Sequence, residues 1–84
     1  MTTAGRSIAE IPEERREQGV RWLIVEPEPS SEGWLLMGHS SLEEGCEFDG
    51  WHRTFDEAVS DAERCWGVPL DAWRLFSLAV PPYA

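Results

Sequence analysis

Lysine is absent from these 84 residues: all seven basic side chains are arginine, against sixteen carboxylates, for a formal charge of −9. That balance argues against nucleic acid or an anionic membrane as a partner, because phosphate capture needs a basic patch. The lack of lysine fits a GC-rich coding bias rather than a functional device. Long apolar runs are missing as well. Nothing approaches the roughly 20 apolar residues of a membrane span, and the first seven residues, Met1 to Ser7, lack the apolar stretch of a secretion signal. Cysteine is scarce: Cys46 and Cys65 are the only two. A cytoplasmic setting is therefore expected, with free thiols as the default there. Glycine-rich phosphate loops are also absent, since Gly33, Gly38, Gly45 and Gly50 stand singly as turn or bulge residues.

Aromatic residues are what the chain has in quantity. Five tryptophans and three phenylalanines, each able to bury roughly 150–250 Å², supply the core of one small domain. The hydrophobic fraction of 42% and charged fraction of 27% describe a folded chain rather than a disordered one.

Residues 1–19 read as an N-terminal tail, loose over 1–10. The run from Ile11 to Gly19 has room for a short helix: Pro12 suits a first helical position and Gly19 a stop. Residues 20–84 read as a single α+β domain. Val20–Glu26 is the strongest strand, apolar on both faces and therefore central, with Trp22 and Ile24 on one side and Leu23 and Val25 on the other. Trp34–His39 and Cys46–His52 follow as an antiparallel meander, because the joining loops are too short for crossovers. Thr54 with Glu57 forms a capping box. Phe55, Ala58, Val59, Ala62, Cys65 and Trp66 then recur at helical spacing, and Gly67 supplies the stop. Trp73–Val80 reads as a last strand before Pro81 and Pro82. The expected order is β-β-β-α-β, with the helix across one face of a two-layer structure.

Catalytic and metal-binding patterns are weak. His39, Cys46, His52 and Cys65 are zinc-ligand types, but the gaps of six, five and twelve residues lack the close pairs that place two ligands on one turn. Cys46 with His52 makes a poor nucleophile and base, because Glu43, Glu44, Glu47 and Asp49 disfavour a thiolate. The abundant carboxylates fit an acidic surface better than a pair with separated pKa values in a cleft. No cofactor is expected, and no enzymatic role. The acidic segment Leu42–Asp49 sets carboxylates beside Phe48 and Trp51, which suits capture of a basic protein surface. Glu43, Glu44, Glu47, Phe48, Asp49 and His52 are the partner-binding candidates. The plain alternative there is a solvated hairpin with Phe48 turned to the core.

The pattern Trp51-His52-x-Thr54-x-x-Glu57-Ala58, continuing through Ala62-Glu63 and Gly67 to Trp73, resembles one found in small uncharacterised bacterial proteins. There a short meander leads to a Thr-capped helix, a glycine and a distal tryptophan. The resemblance covers the C-terminal half and implies a fold, with no catalytic residue to carry over. In size and charge alone the chain also resembles small acidic immunity proteins that block basic toxin enzymes. The functional expectation is a non-catalytic acidic interaction module, of inhibitor or immunity type. A small-ligand or metal-binding domain, or an accessory subunit of a larger enzyme, is the alternative. An uncovered sheet edge would also allow a homodimer.

Overall fold

The computed structural model describes residues 6–28, 30, 32–41 and 45–75. They form an antiparallel sheet with one helix packed on it. The strands are β1 (Ser7–Glu10), β2 (Trp22–Pro27), β3 (Trp34–His39), β4 (Phe48–His52) and β5 (Arg74–Leu75), in the order β4-β3-β2-β1-β5. Helix α1 (Phe55–Trp66) lies between β4 and β5 in the chain. The fold class is α+β, as the sequence pattern implies, and β2, β3 and β4 are the expected meander.

The N-terminal segment departs from expectation. Residues 7–10 are not a loose tail but a strand within the sheet, between β2 and β5, with Ile8 opposite Ile24 on one side and Arg74 on the other. Four residues with one strong β former signal little by themselves. Pairing on both edges creates this strand, with Ser7, Ile8 and Ala9 all buried. The short helix expected after it is a single 3-10 turn, Glu13–Arg15. Gln18 and Gly19 then take φ of 57° and 79°, turning the chain into β2. Of the expected strand Trp73–Val80, only Arg74–Leu75 is seen; residues 76–82 lie outside the described residues.

Strand alternation sorts the apolar residues into two clusters. On the helix side Ala9, Leu23, Val25 and Leu36 meet Ala58, Val59 and Ala62 of α1, joined by Ile11, Val20 and Val68 from the loops. The opposite side buries Ile8, Trp22 and Ile24, with Met37 packed against them. Small alanines at the centre of the helix stripe let α1 approach the sheet closely. Larger rings secure its ends: Trp34 meets Phe55 edge-on with centroids 5.3 Å apart, and Phe48 stacks on Trp66 at 5.4 Å. Such pairs each contribute about 0.5–1.5 kcal/mol beyond burial.

Both helix ends are closed by side chains and backbone. Thr54 Oγ1 accepts the Glu57 N–H at 3.1 Å, as the capping box predicts. The reciprocal bond lands one residue early, however, with Glu57 Oε1 accepting from the Arg53 N–H. Gly67 takes φ of 69° and donates to the carbonyls of Ala62 and Glu63. Arg15 lies over Gly67 and donates to the Cys65 carbonyl at 3.3 Å, a cation at the negative end of the helix. Among the described residues no helix is long and apolar enough to cross a membrane.

Candidate functional site

The same alternation divides the partner-binding candidates between two surfaces. Phe48 and His52 sit opposite Gly38 and Trp34 on the helix side, whereas Asp49 and Trp51 sit opposite Met37 and Leu35 on the other. Phe48 is half-buried, its ring lying over Gly38 and stacked on Trp66. It is committed to the core, as the plain alternative for this hairpin holds. Glu47 is exposed, accepts from Ser40 Oγ at 2.9 Å and donates its N–H to the Gly38 carbonyl. Asp49 is exposed as well. Glu43 and Glu44 lie outside the described residues.

His52 has a partner that the sequence pattern did not suggest. Its Nε2 lies 3.2 Å from Asp61 Oδ2, in position to donate, and joins β4 to the middle of α1. Asp61 is the hub of this contact: its Oδ1 also accepts from Arg64 Nη2 and from Cys65 Sγ. The other imidazole nitrogen, Nδ1, is buried and has no hydrogen-bond partner. Beside the pair runs a shallow groove of about 480 Å³, lined by His52, Asp56, Glu57, Ser60, Asp61 and Arg64. The spacing of Asp61, Arg64 and Cys65 at i, i+3 and i+4 was readable as one helix surface. That β4 would present His52 to it was not.

The zinc-type residues are dispersed. His39 and His52 occupy opposite ends of the β3–β4 ladder and opposite faces. Among the described residues, no three His, Cys, Asp or Glu side chains gather as a ligand set. Both cysteines are free and exposed. For Cys65 this corrects its place in the apolar stripe: it sits at the stripe's rim, turned toward Asp61. Gly50 marks no bulge, since the β3–β4 register runs unbroken through it. The glycines that matter are Gly33 and Gly38, where an added Cβ would fall inside the Trp51 indole and the Phe48 ring respectively.

Arginine usage completes the electrostatic picture. Arg6 pairs with Glu26, Arg16 and Arg21 share Glu10, Arg53 pairs with Glu57 and Arg64 with Asp61. Arg15 caps the helix, and Arg74 also has an internal contact. Each of the seven arginines is thus engaged within the molecule. Glu13, Glu14, Glu17, Glu47, Asp49, Asp56, Glu63 and Asp71 are exposed with no arginine bound to them. An antiparallel α+β fold with an acidic surface is as far as classification goes: no protein family, curated protein or solved structure matches the chain.

Proposed function

We propose that this protein is a non-catalytic interaction module of inhibitor or immunity type that recognises a basic protein surface. The observation that carries the reading is the internal engagement of all seven arginines, which leaves the excess carboxylates to face solvent. A surface of net negative charge steers an oppositely charged partner and disfavours acidic ones. Support for a non-catalytic role comes from His52, whose uncommitted nitrogen is buried and offers no base to a molecule in the groove.

The test is binding to immobilised basic and acidic globular proteins, measured from about 50 mM to about 500 mM salt, where screening becomes severe. Binding confined to basic proteins and weakening steeply with salt is expected. No binding, or binding indifferent to salt, overturns the reading.

A further inference from the structure

β4 is the outermost strand on its side of the sheet, and among the described residues no strand pairs with its outer edge. Proteins ordinarily blunt such an edge with proline, lysine or a bulge. The sequence Phe48-Asp-Gly-Trp-His52 contains neither residue, its one formal charge is the exposed Asp49, and its ladder with β3 is unbroken.

The surroundings of this edge are net acidic, with the carboxylates of Asp49, Asp56, Glu57 and Asp61 against the guanidinium groups of Arg53 and Arg64. Asp49 stands exposed on the helix-free side, while Asp56 and Asp61 line the groove on the helix side. The neighbouring Arg53 and Arg64 are held by Glu57 and Asp61. Trp51 lies on the same strand, 55% exposed, with its indole against Gly33. That packing holds a large planar face in place beside the edge. Indole faces attract guanidinium groups, and carboxylates pair with them.

We propose that the outer edge of β4 is a docking site for an extended, arginine-bearing segment of a partner, which adds to the sheet as a further strand. The inference rests on the reading of the protein as a receptor for basic partners and names the chemistry of what binds. Main-chain pairing holds the segment, and its side chains alternate between the acidic groove and the face of Trp51 and Asp49. A second copy of this chain fits the edge less well, because it would bring one net-acidic surface against another.

The test titrates the labelled protein with a blocked heptapeptide alternating arginine and valine. A control peptide of equal charge carries proline in place of each valine and cannot pair along a strand. The alternating peptide is expected to shift the amides of Phe48–His52 and slow their exchange. It should bind about ten-fold tighter than the control, and Trp51→Ala and Asp49→Arg should each weaken it about ten-fold. Asp49→Asn replaces the arginine variant if that one does not fold. Equal binding of both peptides would mean charge alone is recognised, which defeats edge docking and leaves the acidic module standing. Binding of neither defeats both. Amide shifts confined to β5, or a dimer of the free protein with β4 already protected, also defeats edge docking.

Discussion

The two faces of the sheet do different work. On the helix side, residues from three strands, two loops and α1 close around one cluster, and aromatic pairs fasten both ends of the helix. The other side is graded: Ile8, Trp22 and Ile24 are buried near the β1–β2 ladder, Met37 is half-buried, and Trp51 on β4 is more than half exposed. β1, β2 and β3 each send residues to both faces, and β4 does the same, sending Phe48 inward and Trp51 out. The contrast teaches that an aromatic residue in an acidic segment is not by itself a partner anchor. Its parity along the strand decides whether it packs into the helix-side core, as Phe48 does, or stands more than half exposed, as Trp51 does.

This contrast can be broken or sharpened by substitution, and the largest effect is expected at its centre. Leu23→Ala should cost about 2–5 kcal/mol in denaturant unfolding, since a fully buried side chain leaves a cavity. Met37→Ala, on the graded face, should cost clearly less. A smaller loss, about 1–3 kcal/mol, is expected for Gly38→Ala, because the added methyl displaces the Phe48 ring from its stack on Trp66. Tryptophan fluorescence should report that displacement directly. Thr54→Ala removes the N-cap acceptor and should lower stability by about 1 kcal/mol in a thermal melt. Trp51→Ala should change stability least, by about 1 kcal/mol or less, while weakening binding of the alternating arginine–valine peptide about ten-fold. If it destabilised the fold as much as Leu23→Ala does, the two faces would be equivalent and the division would collapse.

Elements with local causes were legible in the sequence. α1 is specified by Thr54, a short apolar stripe and Gly67, all within one segment, and it forms where the pattern places it. β2 was also legible as a central strand, because both of its faces are apolar. β1 was not, since Ser7–Glu10 becomes a strand through partners supplied by β2 and β5. The site divides along the same line. Exposure of Glu47 and Asp49 follows from composition, and the inward turn of Phe48 was one of two readings open beforehand. The link between His52 and Asp61 depends on how α1 returns past β4, which no local pattern encodes.

The pairing of β1 with β5 has a consequence for how the molecule comes together. The meander from β1 to β4 can assemble from neighbouring segments, but the seam between Ser7 and Leu75 joins opposite ends of the described chain. Long loops of this kind are closed only after local contacts have formed, and such contacts slow folding. Among the described residues, β5 comprises Arg74 and Leu75, both exposed, and pairs with β1 alone. It is therefore the natural place for the sheet to open first, so amide exchange at Arg74 and Leu75 should outpace exchange throughout β2.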